Sequence, residues 1–490
     1  MPDSPRYAVI DIGSNSVRMI VYQRGRLSLP LFNEKASCGL GKDLGKTGHL
    51  NQKGVIEASL LLQRFAHLAR MMHVKKMTVV GTAALRSAKN GKKFVADVRR
   101  KSGLRIQIIS GVEEAKLSAK GVTAAFDSAN GIMGDMGGGS MELVALDHGH
   151  IKQRISLQHG PLSLMDLGLS AKSLREKIAG DFKLHGWLKN AGRNKSFFAV
   201  GGVFRAMARL HMEITGYPLH VVHHYTIPAN NFVRFLRECQ RRKWNNRALK
   251  IGISPTRIAA MPYAATVLLR LFAIAKFRDI CFTTYGLREG VAIVQQGQHH
   301  PTGHNSLMAT CKALAMQSGR FGLNGDEVFE FLRPLIRTIS PRHNRLFHAA
   351  CWISDMGWSD HPEERAKQIF HRILHAPLLA IDHHGRAFMA LLCYSRYAGK
   401  ADKVKDMAKI LDRKEFQLAM RLGLALRFAD TVCGGVPHIL PKLKFTVTGK
   451  SVILQSPKSM AVAGGDEVHK RLEHLADAFK MSPMIIQVAR

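Results

Sequence analysis

The stretch "VIDIGSNSVRMIVY", from Val9 to Tyr22, restricts the fold more than any other feature of this chain, because its plan occurs twice. An apolar run ends at Asp11, turns through Gly13-Ser14-Asn15-Ser16, and resumes as a second apolar run. "GIMGDMGGGSMELVAL", from Gly131 to Leu146, repeats this with Asp135 and the turn Gly137-Gly138-Gly139-Ser140. Short apolar runs punctuated by glycine and serine read as β-hairpins. Glycine lets the backbone approach a ligand closely, and successive N–H groups in such a turn form an anion-binding concavity. Ser14, Ser16 and Ser140 add hydroxyl donors. An aspartate at a strand end is an oxygen ligand suited to Mg²⁺, which takes one or two carboxylates together with phosphate oxygens. Either turn alone is ordinary turn chemistry. Two matching copies point to a pair of loops that clamp a phosphate and its metal from both sides.

Between and after these hairpins the chain alternates. "GVIEASLLLQRFAHLARMM" has apolar residues at helical spacing, whereas "KMTVVGTAALRSAKNG", "LRIQIISGVEEAKLSAKGV" and "SFFAVGGVFRAMARLHM" each read as strand, turn, helix. The reading is an α/β region in which glycine turns follow strands, the end of a sheet where ligands bind in such folds. Beyond residue 300 strand signals fade and helical patterns dominate, until "LKFTVTGKSVIL" (Leu443 to Leu454) suggests a small hairpin. A domain boundary is expected at 298–304, in "GQHHPTGHN".

The chain of 490 residues is too long for one core. Its formal net charge of +36 attracts polyanions: nucleic acid, anionic membrane or phosphorylated substrates. Most of the basic excess lies in the first 300 residues, the part that carries the repeated turn. Cys38, Cys239, Cys281, Cys311, Cys351, Cys393 and Cys433 are scattered without a CxxC pair, which fits a reducing compartment and argues against a disulfide framework or zinc site. "MPDSPRYAVIDIG" enters a strand without an apolar signal segment, and "IAAMPYAATVLLRLFAIAKF" is interrupted by Pro262 and Arg270, so a buried helix is expected there rather than a membrane span. A cytoplasmic protein is expected. In "SGVEEAKLSAKGV", Glu113 and Glu114 stand at a helix start. Adjacent helical residues point about 100° apart, so only one can face a cleft; acids here also complement the helix dipole.

"YAVIDIGSNSVRMIV", "VVGTAALRSAKNG", "IISGVEEAKLSAKGV", "GDMGGGSMELV" and "YGLREGVA", in that order, resemble the exopolyphosphatase/guanosine pentaphosphate phosphatase (Ppx/GppA) family across residues 7–297. The resemblance implies two actin/Hsp70/sugar-kinase-like α/β lobes, 1–124 and 125–300, each contributing one Asp–Gly hairpin to a shared cleft. It implies Glu114 as the base that activates water, Asp135 and Glu142 as carboxylates at Mg²⁺, and Asp11 as the first lobe's metal-side aspartate. Gly13, Ser14, Asn15 and Ser16 match one phosphate loop, and Gly137, Gly138, Gly139 and Ser140 the other. Thr82 and Arg86, in the "GTAALR" block, match phosphate-binding positions, and Glu289 a structural support. In "GGVFRAM", Val203 stands where many members have a hydroxyl, which weakens nucleotide recognition more than polyphosphate recognition.

The region 301–440 resembles the helical HD-like domain of longer members, followed by a small α/β segment, 441–490. An HD metal centre needs an early His, a His-Asp pair and a late Asp; His304, Ser354-Asp355 and Asp430 stand at those places. With Ser354 in place of histidine no working metal centre is expected, and His361, His371, His375, His383 and His384 read as solvated or hydrogen-bonded. The resemblance also implies a homodimer. The substrate it implies, inorganic polyphosphate or guanosine pentaphosphate, carries about one negative charge per phosphate. A chain leaving the cleft needs a basic track, for which Lys92, Lys93, Arg241, Arg242 and Lys243 are candidates. These clusters are thin in aromatics, which argues against single-stranded nucleic acid as the partner. The activity expected is removal of terminal phosphate from polyphosphate. The alternatives are hydrolysis of guanosine pentaphosphate and phosphoryl transfer from polyphosphate to a nucleoside diphosphate.

Overall fold

The alternating segments of the first three hundred residues form two sheets on one plan. The first holds β1 (Arg6–Ile12), β2 (Ser16–Gln23), β3 (Phe32–Ser37), β4 (Val74–Gly81) and β5 (Ile106–Ile108) in the order β3-β2-β1-β4-β5. The second holds β6 (Gly131–Met136), β7 (Met141–Asp147), β8 (His150–Leu157), β9 (Ser196–Val200), β10 (Thr226–Pro228) and β11 (Asp279–Phe282) in the order β8-β7-β6-β9-β11-β10. In each, three antiparallel strands are continued by two parallel ones. The second sheet adds the short antiparallel strand β10 at its edge. These duplicated sheets, covered by helices, are the two-lobed actin-like fold. This computed structural model describes residues 4–24, 29–297, 304–318, 320–322, 324–398, 404, 409–460 and 465–488. Residues 298–303 of the expected boundary lie outside them.

The burial pattern follows from the order. Val9 and Ile10 point to opposite faces of central β1 and both are fully buried, whereas edge strand β3 alternates between half-buried and exposed residues. On one face Ile10, Val17 and Met19 pack with Leu62 and Phe65 of the helix Gln52–Met71. On the other, Val9, Ile20 and Val80 pack with Leu117 of the helix Gly111–Ala125 and with Leu287 and Val291 of the helix Leu287–Gln296. That last helix therefore returns to the first sheet, although a linear division at 124/125 assigns it to the second lobe. Gly290 permits the return: a Cβ there would sit 1.7 Å from the Leu117 carbonyl oxygen. The helix Pro255–Ala275 is long and apolar enough to cross a membrane by length and composition, but 61% of its most apolar window is buried within this fold. Its Met261, Ala264 and Leu268 join Phe197, Phe204 and Phe282 in the second lobe's core.

The chain divides into two compact units, Met1–Gly303 and His304–Arg490, so the helical region and the C-terminal segment form one unit. Its helices include His304–Ser318, Pro341–Ile353, His383–Ala398 and Arg413–Cys433. The expected hairpin is β12 (Lys444–Thr448) and β13 (Ser451–Pro457), and the helix Asp466–Phe479 then crosses over to β14 (Ser482–Val488), parallel to β13. Asp355 and Asp430 do meet, but over guanidinium groups. Arg396, 2% exposed, lies 2.8 Å from both, and Arg320 lies 3.3 Å from both. His304 opens its helix, and its side chain lies outside the described residues. All seven cysteines are buried thiols, none of them in a disulfide.

Candidate active site

The two hairpin turns close with the same hydrogen bond. Gly13 N–H donates to the Ser16 carbonyl at 3.0 Å, and Gly137 N–H to the Ser140 carbonyl at 3.0 Å. Strand register then fixes what stands beside each turn. Asp11 lies opposite Arg18 across β1–β2, and Asp135 opposite Glu142 across β6–β7, and directly opposed residues share a face of the sheet. The repeat is thus geometric but not electrostatic: one half pairs acid with base, the other acid with acid. The turns face each other across one cleft, lined by Asp11, Gly13 to Ser16, Thr82, Glu114, Asp135 and Gly137 to Ser140. The second turn is held from behind. Leu162 and Ser163 N–H donate to the Gly138 carbonyl at 3.0 and 3.2 Å. The preceding Gly160 lies so close that a Cβ would be 2.4 Å from that oxygen.

The helix Gly111–Ala125 selects between the paired glutamates. Ser110 caps it, accepting from Glu113 N–H at 3.1 Å. Glu113 turns outward and pairs with Lys116 at 3.7 Å, and Glu114 turns into the cleft. Arg86 Nη1 reaches Glu114 Oε2 at 3.3 Å and donates to the Ile109 carbonyl at 2.7 Å. Arg86 thus stands behind Glu114 and does not line the cleft. Thr82 Oγ1 donates to the Ile12 carbonyl at 3.3 Å. Ser118 donates to Asp135 at 2.7 Å and Ser156 to Glu142 at 2.8 Å. Glu142 is 1% exposed and stands behind Asp135 rather than in the cleft wall.

Burial pushes the carboxyl groups of Asp11, Glu114, Asp135 and Glu142 upward, and the acids reinforce one another. Glu114 is raised well above the usual range by burial, then by Glu142 and Asp135, with Arg86 opposing. Glu142 is pushed up to about 7 by burial and then by Asp135. Arg288 at 3.4 Å tempers the rise of Asp11. Among the described residues no group of three or more His, Cys, Asp or Glu is arranged to hold a metal by itself. Mg²⁺ needs fewer protein ligands than that when phosphate and water complete its shell, and mutually repelling buried carboxylates are a donor set that a divalent cation relieves.

The cleft also holds residues that the sequence patterns did not single out: Arg18, Lys35, Arg205, Arg257 and Arg288 line it. The Arg205 guanidinium is lowered to about 10 by burial, then by Arg288, Arg18 and Arg257, so these cations crowd one another. Arg18 was legible as the cross-strand partner of Asp11, and Arg288 lies inside the "YGLREG" block. Lys35, Arg205 and Arg257 come from separate elements that only the fold brings together. Glu289 accepts from Gly286 N–H at 2.9 Å and from the Tyr22 hydroxyl at 3.4 Å, a buried support for the turn before its helix. Val203 lines the cleft as an apolar side chain. The proposed track residues stand outside it. Lys92, Lys93, Arg241 and Arg242 are exposed, and Lys243 pairs with Glu238 at 2.9 Å.

The Ppx/GppA phosphatase family model matches residues 19–299, and the exopolyphosphatase C-terminal model matches residues 338–482. The chain belongs to the Ppx/GppA phosphatase family. Within this family it is 27% identical over 317 residues to the guanosine-5'-triphosphate,3'-diphosphate pyrophosphatase of Aeromonas salmonicida, and 26% identical to that of Aeromonas hydrophila. The match covers 61% of this chain and spans only 61% of the length of these relatives. Two solved structures share the Ppx/GppA fold. The Aquifex aeolicus family member matches at 22% identity and TM-score 0.50, covering 59% of this chain and 97% of that one. An exopolyphosphatase from Cytophaga hutchinsonii matches at 20% identity and TM-score 0.53, covering 60% and 100%.

Proposed function

We propose that this Ppx/GppA member is a Mg²⁺-dependent exopolyphosphatase that releases terminal orthophosphate from inorganic polyphosphate. One observation carries the choice of substrate. Five cations line the cleft, and no Phe, Tyr, Trp or His lines it among the described residues. That wall suits a run of phosphates and offers no ring on which a guanine could stack. Val203 supports the same reading by supplying no hydroxyl to a nucleotide. The second reading, hydrolysis of guanosine pentaphosphate, is favoured by the names of the Aeromonas relatives.

The chain's own groups divide the work. The N–H groups of both glycine turns and the Ser14, Ser16 and Ser140 hydroxyls grip the terminal phosphate. Glu114 orients a water in line with the terminal phosphorus and takes its proton, since a carboxylate whose pKa is raised by burial and by neighbouring acids is a stronger base than a free one. Arg86 favours the ionised form and fixes the side chain's rotamer. Asp135, backed by Glu142 and faced by Asp11, would hold Mg²⁺. When bound, the metal neutralises charge on the phosphoryl oxygens. Arg18, Arg205 and Arg257 bind the leaving chain. The protein is proposed to work in the cytoplasm as a homodimer. A phosphate-release assay decides the substrate: kcat/KM is expected to be higher for long polyphosphate than for guanosine pentaphosphate, and the reverse order overturns the reading.

A further inference from the structure

A second open cavity, of about 420 Å³, lies in the second lobe and shares no lining residue with the catalytic cleft. Its wall includes Arg175, Arg237 and Arg270, with Gln240 and Thr266 between apolar side chains. The three arginines come from three helices, Ala171–Lys183, Ala229–Gln240 and Pro255–Ala275. Convergence from separate elements distinguishes this arrangement from the charged face of a single helix. The polar side chains are fixed: Gln240 Nε2 donates to Thr266 Oγ1 at 2.9 Å, and Thr266 Oγ1 to the Pro262 carbonyl at 2.9 Å.

No carboxylate lines the cavity. The acids on the same helices are turned away or engaged. Asp181 binds His159 and Lys177, Glu238 binds Lys243 and Trp244, and Glu176, next to Arg175 in the helix, points about 100° from it. The third helix carries no acid. None of the three guanidiniums has an acidic partner among the described residues. Three cations from separate helices line one opening, and an anion bound there meets no competing carboxylate in its wall. The planar guanidinium fork matches phosphate oxygens two at a time.

We propose that this cavity is an exosite that holds a segment of inorganic polyphosphate outside the catalytic cleft. The choice of ligand rests on the polyphosphate reading; the cavity's preference for phosphate anions does not. The probe is inorganic tripolyphosphate, titrated calorimetrically at low salt into the Glu114→Gln protein, in which turnover is suppressed. Adding Arg237→Ala and Arg270→Ala is expected to remove one binding site per chain. In the active protein the same pair is expected to raise KM for long polyphosphate about tenfold and to leave KM for tripolyphosphate within about twofold. Unchanged stoichiometry and affinity in the titration overturn the exosite. An equal rise of KM for long and short substrates overturns it too, because it places the effect in the cleft. A parent protein that hydrolyses no polyphosphate overturns the proposed function instead, and the loss or retention of the titrated site then decides the exosite alone.

Discussion

Glu113 and Glu114 are identical in chemistry and adjacent in sequence, and the Ser110 cap separates their fates by fixing where the helix begins. Glu114→Gln keeps the side chain's shape and removes the proposed base. Turnover is expected to fall about 10²–10⁴-fold with tripolyphosphate binding retained, whereas Glu113→Gln, which loses only a surface pair with Lys116, stays near parent activity. Initial-rate and titration measurements on both variants check this, and a reversed pattern moves the base to Glu113. Glu142 supplies a pH test. Its folded-state carboxyl is raised to about 7, above its ordinary value, so its neutral form favours the fold at low pH and that contribution is lost as pH rises through about 7. In EDTA, Glu142→Gln is expected to stabilise the protein at pH 8 by on the order of 3 kcal/mol and to change little at pH 5. Equal melting shifts at both pH values contradict this. The acids and turns of the site were legible because each sits in a local pattern. Arg205 and Arg257 were not, because each sits on a helix, and the spacing that matters is across the cleft rather than along the chain.

At the level of elements, strand–glycine–helix units were readable because the period of burial changes at each turn. Two edge strands were not: β10 has only three residues, and β14 opens with Ser482-Pro483, which reads as a turn. Turn geometry carries its own prediction. Gly160→Ala must push the Gly138 carbonyl away from Leu162 and Ser163 N–H, displacing the turn proposed to grip phosphate. Activity is expected to fall about 10²-fold while the melting temperature moves by the modest amount typical of local overpacking; parent-level turnover in this variant removes the turn from the mechanism. In the helical unit Ser354-Asp355 and Asp430 were legible as candidates for one site, but the cations between the two aspartates were not, since Arg320 and Arg396 stand in no local pattern with them. Removing Arg396 leaves two carboxylates without their central cation. Arg396→Ala is expected to cost about 3–5 kcal/mol in denaturant unfolding, with partial rescue by Asp355→Asn. Asp355→Ala and Asp430→Ala are expected to leave the EDTA sensitivity of hydrolysis unchanged; an altered metal requirement assigns a metal to this unit.

Over the whole molecule the charge of +36 makes substrate capture a function of ionic strength. Screening limits each cation's reach to about 8 Å in physiological salt, so only residues near the bound chain matter. Combined removal of Lys92, Lys93, Arg241 and Arg242 is expected to raise KM for long polyphosphate and flatten its dependence on salt, while a substrate contained in the cleft is spared. Lys243→Ala is expected to do least, because Glu238 already holds that ammonium. KM against salt for long and short chains checks both statements, and equal losses for both lengths refute the track. The mismatch between the two hairpins has one further consequence. A polyphosphate chain reads the same from either end, so the substrate itself carries no direction. Asp11 facing Arg18, against Asp135 backed by the buried Glu142, supplies one: a chain laid in the cleft meets acid and base at one hairpin and, at the other, a lone acid with a second acid behind it. Under the polyphosphate reading, that difference makes successive cleavages proceed one way along a molecule that has no front or back of its own.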